Sequence, residues 1–260
     1  MWTENRKRVR CRRRALPVGL GWIASSALLW PAPLAMKISV IIPALNEEKT
    51  IASSLRALSA LEPRQIIVVD GGSRDRTVEI CRQFAVEVAA SERGRARQMN
   101  CGAALAVGDV LLFLHADTRL PGSAFHDVAA VLDDPKCLGG RFDVELDGTH
   151  WMLKVIGALI NYRSRVTKVG TGDQAIFVRR EVFAQLGGYP DIPLMEDVAF
   201  GRALKRLGEV ACLRSRVVTS ARRWESDGIW RTILKMWMLK FLYLAGVSPA
   251  RLKQYYADAR

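Results

Sequence analysis

The chain has 260 residues, of which half are hydrophobic and a quarter are charged, and its formal net charge is +13. This is a globular profile, long enough for one large domain or two small ones with a sizeable core. Its five cysteines are widely scattered and include no C-x-x-C pair, which argues against a disulfide or zinc framework and for reduced thiols in a cytosolic compartment.

The first 35 residues differ from the rest. Residues 1–14 carry seven Arg or Lys and one Glu, and an apolar stretch broken by prolines follows. This order is typical of a signal peptide or a weak membrane anchor. Because a strand pattern begins at Met36 and needs nothing before it, we expect residues 1–35 to be a non-structural extension and Met36 to be the natural start.

The excess of positive charge is partly local to that extension. Residues 1–14 contribute +6 of the +13, which leaves +7 for residues 36–260. A body of this charge suits an anionic partner, such as a phosphorylated substrate or an anionic membrane surface. The sequence shows no aromatic-basic module of the kind that reads nucleic-acid bases.

Strand-like and helix-like segments alternate from residue 37 onward. Apolar runs predict strands at 37–44, 64–70, 86–90 and 110–117, and helical spacing predicts helices at 46–61, 74–85 and 96–106. This order requires parallel neighbours joined by right-handed crossovers. We therefore expect an α/β fold with a doubly wound, mostly parallel sheet, in a single domain over residues 36–225.

The pattern loosens after residue 120. Residues 137–146 and 174–180 resemble strands, residues 151–165 resemble a helix, and a further helix ends at Gly187-Gly188. The tail, residues 226–260, contains an almost wholly apolar segment at 228–247, interrupted only by Arg231, Lys235 and Lys240. Three bases are costly at a bilayer centre, so an interfacial helix is favoured over a spanning one. A buried or dimer-forming helix is the alternative.

Polar residues follow three of the predicted strands. The first strand leads into Pro43, Ala44, Asn46 and Glu47, the second into Asp70, Gly71, Gly72 and Ser73, and the fourth into His115, Ala116 and Asp117. Because parallel strands share one carboxyl edge, these residues are expected to converge on one crevice, where open α/β sheets bind ligands. Taken alone, Asp117 could equally be a helix cap or turn residue. The chain has neither G-x-G-x-x-G after the first strand nor a P-loop motif.

The segments PALNEE, VVDGGSRDRT, GRARQMNCGA and FLHADTRLP resemble the successive signatures of the family-2 glycosyltransferases, which have a GT-A fold. The segments GTGDQAIFVRREVFAQLGGYP, MEDVAFGRALKRLG and SARRW continue the resemblance in the same order, over about residues 37–225. The segments HADT, GDQAIF and ARRWESDGIWRT resemble the sequences of a bacterial subgroup assigned to arsenosugar biosynthesis.

This resemblance implies a nucleotide-diphosphate sugar as donor and Mn²⁺ or Mg²⁺ as cofactor. It implies a nucleotide-sugar site formed by Pro43, Ala44, Asn46, Glu47, Asp70, Gly71, Ser73, Arg97, Asn100, His115, Ala116 and Asp117. Asp70 would bind the base, and Asp117 would bind the metal as the last Asp of a D-x-D motif. His115 replaces the first Asp; a neutral imidazole can bind ribose or Mn²⁺ but adds no negative charge, so we expect weaker metal binding. For Arg97, a solvated basic surface is the alternative.

The same resemblance implies that Asp197 is the catalytic base of an inverting reaction. In isolation, Glu196 and Asp197 are a first-turn acidic pair that complements the helix dipole, and their 100° separation lets only one of them face the crevice. The donor-sugar and acceptor pocket would be formed by Gly172, Asp173, Gln174, Glu196, Arg223 and Trp224. The last two belong to SARRW, which is similar to a Q-x-x-R-W motif with Ser220 in place of Gln.

The sequence therefore predicts a cytosol-facing, peripheral membrane glycosyltransferase that uses a nucleotide-diphosphate sugar, with UDP-sugar as the first choice. A polyprenyl phosphate or a carotenoid acid would suit the apolar tail as acceptor, and a small soluble acceptor is the main competitor. A sugar nucleotidyltransferase is a second class, but its early Gly-rich, Arg-containing loop is missing. A non-catalytic basic module that binds membranes or nucleic acid leaves Asp70, Asp117 and Asp197 unexplained.

Overall fold

The protein is a single sheet with helices on both faces. The computed structural model describes residues 36–222, 224 and 228–255. The strands are β1 Ile38–Ala44, β2 Gln65–Asp70, β3 Glu87–Ala90, β4 Val110–Phe113, β5 Thr118–Arg119, β6 Cys137–Asp147, β7 Ile176–Arg179 and β8 Glu209–Ser220. The helices are α1 Ile51–Ser59, α2 Thr77–Cys81, α3 Arg95–Leu105, α4 Ala124–Leu132, α5 Trp151–Thr167, α6 Arg180–Gln185, α7 Glu196–Leu207, α8 Ile229–Leu244 and α9 Pro249–Tyr255. The predicted 1–35 extension lies outside the described residues.

The sheet order is β3-β2-β1-β4-β7-β6-β8-β5. The first four strands in this order run parallel, and so do β6 and β8. β7 is antiparallel to both of its neighbours, and β5 is antiparallel to β8. The predicted α/β class and mostly parallel sheet are thus confirmed.

The apolar strand runs arise because both faces of the sheet are covered. Along β1, Val40 and Ile42 join one buried cluster, whereas Ile41 joins the cluster on the opposite face. The first cluster packs against α1 and α4, and the second packs against α3, α6 and α7. A strand buried on both faces has no polar side to alternate with, which is why its sequence reads as a continuous apolar run.

Several element boundaries differ from those predicted. Helix α1 begins at Ile51 rather than residue 46, because Asn46 adopts a left-handed φ of 54° and the following residues form a turn on the Glu47 carbonyl. Helix α2 ends at Cys81, before the predicted end at residue 85. The sequence analysis did not predict β5, α4 or β8.

The short pairing of β5 with β8 determines what lies beside residue 117. Thr118 is in register with Thr219, and their hydroxyl oxygens are 2.8 Å apart in the buried interior. This pairing fixes the turn that carries Asp117. It also brings the residues just beyond β8 to the same edge of the sheet.

The C-terminal helices pack against the body of the protein. Leu239 of α8 and Leu252 of α9 are fully buried, in a cluster with Leu194, Met195 and Val198 at the start of α7. Within the described part of the chain, no helix combines the length and the hydropathy needed to cross a bilayer.

Candidate active site

The loops after β1 and β2 are joined by side-chain hydrogen bonds. The Asp70 carboxylate accepts hydrogen bonds from the backbone amides of Gly72 and Ser73 at 3.1–3.2 Å. The backbone N–H of Asn46 donates to the Ser73 hydroxyl at 2.9 Å, and the side-chain oxygen of Asn46 accepts from the backbone N–H of Arg74 at 2.9 Å. Asp70 is therefore held at the strand end with lone pairs to spare, since a carboxylate accepts about four hydrogen bonds.

Gln98 of α3, which the sequence analysis did not single out, clamps the two strands behind this loop. Its side-chain amide donates to the carbonyls of Ala44 and Val69, both at 2.8 Å, and it is almost wholly buried. A β-carbon built on Gly71 would lie 3.0 Å from this amide. Glycine at position 71 therefore lets α3 approach the strand ends closely.

A second group missed by the sequence analysis is Arg222, two residues beyond β8. Its guanidinium lies 3.1 Å from Oε2 of Glu47, which is 2 % exposed, and 3.9 Å from Oδ2 of Asp117. The Glu47 amide donates to the Thr77 hydroxyl at 2.7 Å, so this carboxylate sits on an anchored turn. Arg222 thus connects the end of β1 with the turn after β4.

A small pocket lies where β1, β4, the turn before β7 and the start of α7 meet. Its lining includes Pro43, Phe113, Leu114, His115, Gly172, Tyr189, Glu196 and Asp197. The structure therefore brings the ends of two parallel strands together with the Gly172 turn and the α7 acidic pair. Of the residues predicted to converge at the strand ends, Pro43 and His115 line this pocket, and a ligand crevice at the carboxyl edge stays a prediction.

Two backbone amides hold Asp197 in this pocket. The Gly172 amide donates to Oδ2 at 2.8 Å, and the Val198 amide donates to Oδ1 at 2.7 Å. A β-carbon at Gly172 would lie 2.6 Å from Nε2 of His115 and 3.7 Å from Oδ2 of Asp197. His115 and Asp197 therefore flank a space that only glycine leaves open.

Glu196 lines the same pocket as Asp197, so the expectation that only one of them faces the crevice is wrong. Both residues are buried in the first turn of α7. Glu196 forms an ion pair with Arg95 at 2.8 Å and is almost wholly buried. Burial raises the pKa of Glu196, with Arg95 opposing and Asp197 adding to the increase.

The Gly172–Gln174 turn shows how the pocket is supported from behind. Gln174 is fully buried and donates to the Ser164 hydroxyl at 3.0 Å, so its side chain supports the turn instead of lining the pocket. Burial raises the pKa of Asp173, and its Oδ1 has no hydrogen-bond partner among the described residues. Asp173 is thus a half-buried carboxylate that interacts electrostatically with Asp197.

Two cations, one from α5 and one from α8, face this acidic group. Arg163 of α5 donates to the Thr171 hydroxyl at 3.4 Å, and burial lowers its pKa while Asp173 and Asp197 oppose that effect. Burial lowers the pKa of Lys240 on α8 to about 8. The positive charge of Arg163 lowers this pKa further, whereas Asp173 and Asp197 oppose the decrease. Asp197 therefore has a cationic side formed by α5 and α8.

Other predicted site residues lie elsewhere. Arg97 pairs with Asp191 and Glu92 on the surface, at 2.9 and 2.6 Å. Asn100 exchanges two hydrogen bonds with the backbone of Tyr189. Ala116 is buried in a core cluster, Trp224 packs on the cluster around Leu153 and Ile156, and Arg223 lies outside the described residues. Ligand contacts for these residues stay predictions.

A metal shared with a diphosphate fits the residues present. No three His, Cys, Asp or Glu side chains come together as a metal site within residues 36–222, 224 and 228–255. Mg²⁺ sites on nucleotide phosphates need only one or two carboxylates, because phosphate oxygens and water complete the coordination. Asp117, with about a fifth of its side chain exposed, supplies one such carboxylate at the strand-end crevice.

Comparison with known proteins gives a consistent result. The model of the family described as "Glycosyl transferase family 2" matches residues 39–187. The probable glycosyltransferase YdaM of Bacillus subtilis is 27 % identical over 222 residues, which cover 74 % of this chain and 51 % of YdaM. A 4,4'-diaponeurosporenoate glycosyltransferase of Staphylococcus haemolyticus is 39 % identical over 143 residues, covering 52 % of this chain and 38 % of that protein. The chain thus spans about half or less of these relatives.

Solved structures show the same fold. The mannosyltransferase PcManGT of Pyrobaculum calidifontis, in complex with GDP-Man and Mn²⁺, aligns with a TM-score of 0.59 at 23 % identity, covering 87 % of this chain and 70 % of that one. TarS of S. aureus with UDP-GlcNAc aligns with a TM-score of 0.56 at 19 % identity, covering 71 % and 58 %. None of the relatives named here is an arsenosugar enzyme, so that placement stays a prediction.

Proposed function

Because the chain belongs to glycosyl transferase family 2, we propose that it transfers a sugar from a nucleotide-diphosphate sugar to an acceptor with inversion at the anomeric carbon. The observation that carries this proposal is the convergence of His115, Gly172, Glu196 and Asp197 on one small pocket that Pro43 of β1 also lines. A donor bound along the strand ends would present its sugar to that pocket.

The donor is proposed to be a UDP-sugar. Asp70 has lone pairs left to accept from a base N–H. Complexes of fold neighbours with UDP-GlcNAc and with GDP-Man support a nucleotide-diphosphate sugar in general. Uracil is our choice among the bases.

Mn²⁺ or Mg²⁺ would be held by Asp117 together with the diphosphate, with His115 as the second predicted ligand. When bound, the metal supplies positive charge that stabilises the departing diphosphate. Arg222 already lies 3.9 Å from Asp117 and 3.1 Å from Glu47. Its guanidinium would add positive charge at the same edge of the donor site.

Asp197 is proposed to act as the general base. Its carboxylate takes the proton of the acceptor hydroxyl while that oxygen forms a bond to the anomeric carbon. The bond between this carbon and the diphosphate oxygen breaks, and its electron pair leaves with the nucleoside diphosphate. Because attack and departure occur on opposite faces of the sugar, the product is inverted. The Gly172 and Val198 amides orient the base.

The acceptor is proposed to be lipid-like and presented at the cytosolic face of a membrane, with residues 228–247 at the surface. Helix α8 supports this through its exposed Trp230, Leu234, Trp237 and Phe241. The Staphylococcus relative is a 4,4'-diaponeurosporenoate glycosyltransferase, and the M. tuberculosis relatives are PGL/p-HBAD biosynthesis glycosyltransferases, 30 % identical over 162 residues. A small soluble acceptor is the competing choice.

Calorimetric titration of UDP into the full chain, with and without Mn²⁺, tests the donor site. We expect Mn²⁺-dependent binding that is lost in Asp117→Asn. Asp109→Asn is the matched control, because Asp109 precedes β4 at its opposite end and accepts from the Lys37 amide. Absence of binding to UDP and to every other nucleoside diphosphate would overturn the proposal and favour a non-catalytic binding module.

A further inference from the structure

Large apolar side chains are exposed in an unusual distribution. Five lie on α5, namely Trp151, Val155, Leu159, Tyr162 and Val166, and five lie on α8, namely Trp230, Leu234, Trp237, Met238 and Phe241. Among the described residues, the other exposed large apolar side chains are Val107, Leu207 and Tyr255, none of which lies on α5 or α8. The exposed apolar surface is thus concentrated on two helices.

On each helix the exposed residues form a stripe. Their spacing of three and four residues along α5 and α8 places them on one side of the helix. The other side of α5 is buried through Leu153 and Ile156, and α8 is buried through Leu239. Each helix is therefore apolar on its solvent side as well as on its core side, which an ordinary surface helix is not.

The two helices belong to one packed unit. Leu153, Ile156 and Ile160 of α5 share an apolar cluster with Ile229 and Ile233 of α8. We call the exposed stripes of these two neighbouring helices, with the ten residues named above, the apolar face. Exposed apolar side chains concentrated on two packed helices in this way mark a site for a protein or a membrane.

The charge around the apolar face indicates which of these it meets. Helices α5, α8 and α9 contain no Asp or Glu. Besides the core-facing Arg163 and Lys240, and Arg165, which pairs with Asp143, they carry Lys154, Arg231, Lys235, Arg251 and Lys253. A second copy docked through the same face would bring these like charges together. Anionic lipid headgroups would be attracted to them, and Trp and Tyr side chains suit the headgroup level.

We propose that the apolar face docks flat on an anionic lipid bilayer, with α5 as well as α8 inserted into the headgroup region. This inference deepens the proposed function and depends on it for its purpose, a lipid-like acceptor. It adds α5 to a surface that the sequence had placed on residues 228–247 alone. The exposed indole, phenyl and leucyl groups supply the apolar burial, and the bases bind the headgroups.

Docking in this way places at the bilayer the two helices that also supply cations to the candidate active site. The core-facing cations Arg163 and Lys240 come from the same two helices, and both interact electrostatically with Asp197 and Asp173. An acceptor whose hydroxyl or acidic head rises from the bilayer beside α5 and α8 would approach the general base past these two helices.

Flotation of the full chain with vesicles of phosphatidylcholine, with and without phosphatidylglycerol, tests this. We expect binding to the anionic vesicles that weakens with salt. The α5 variant Leu159→Gln/Tyr162→Gln and the α8 variant Trp237→Gln/Phe241→Gln should each lower the partition coefficient about tenfold or more, since each removes two large apolar groups from the interface. The control Val107→Gln/Leu207→Gln, altered at exposed residues away from the apolar face, should bind as the parent does.

UDP binding, measured on each variant, separates this proposal from the proposed function. Vesicle binding that the α5 variant leaves unchanged overturns the two-helix docking, whatever UDP does. Sedimentation that shows self-association abolished by the same variants, without vesicle binding, also overturns it in favour of a second copy. Vesicle binding without UDP binding would support the proposed docking and contradict the proposed donor site.

Discussion

The backbone amide of Gly172 donates a hydrogen bond to Oδ2 of Asp197 at 2.8 Å. These residues are far apart in the chain and come from different elements, the turn before β7 and the first turn of α7. The bond leaves the carboxylate directed at the pocket that His115 and Glu196 also line. Several consequences of this arrangement can be measured.

Replacing Asp197 by Asn should lower kcat by about 100- to 10,000-fold, because the amide has no basic oxygen to accept the proton. The amide oxygen still accepts from Gly172 or Val198, so UDP affinity should stay within about twofold of the parent. Steady-state kinetics and UDP titration measure both quantities. Glu181→Gln, a first-turn carboxylate of α6, serves as the control; a kcat for Asp197→Asn equal to that of the control contradicts the assignment.

Gly172→Ala should lower kcat/KM by about tenfold or more. The new methyl group would lie 2.6 Å from Nε2 of His115, so that the imidazole or the turn must move, and small displacements of reacting groups are costly. Gly122→Ala is the matched control, because a β-carbon there meets no atom within 4 Å. Equal kcat/KM values for the two variants would show that the space between His115 and Asp197 is not used.

Arg222→Gln should lower the free energy of unfolding by about 1–3 kcal/mol, since it removes a charged hydrogen-bond partner from the buried Glu47. Arg216→Gln breaks a comparable pair with Glu145, but both of those side chains are at least half exposed. Its cost should be about 0–1 kcal/mol. Urea unfolding of both variants gives the comparison, and the reverse order of the two losses would refute the structural role of Arg222.

Lys240→Met should make the protein more stable at pH 7. Burial lowers the pKa of Lys240 to about 8, below the value of about 10.4 in an unfolded chain. The folded state thus disfavours the charged amine, and this destabilisation is complete below about pH 8 and fades as the pH rises towards about 10.4. The stability difference between variant and parent should therefore shrink between pH 7 and pH 9.5 in urea titrations. A difference that stays constant over this interval contradicts the burial of the charged amine.

The sequence by itself determined the parallel half of the sheet and the polar residues at its carboxyl edge, where we propose the donor site. Strands buried on both faces must be continuous apolar runs, and β1, β2 and β4 have that pattern with polar residues at their carboxyl ends. Asp70, His115, Asp117 and Asp197 could be singled out because local order along the chain, and the family resemblance it carries, places them at element ends.

Only the tertiary structure decided which distant groups surround those residues. Arg222 contacts Glu47 and Asp117 because β8 pairs with β5. Strand β5 has only two residues, too few to show a periodic sequence pattern. Gln98 is an ordinary polar residue of α3 until its side chain is seen to join the β1 and β2 ends.

The same holds for the apolar face. An apolar residue on a helix has the same letter whether it is buried or exposed, so the spacing along α5 could not tell its core side from its solvent side. The packing of α5 with α8 and the rest of the protein buries one side of each helix and leaves Leu159 and Trp237 exposed to solvent. Burial is a property of the assembled chain, because it depends on which surfaces other elements cover.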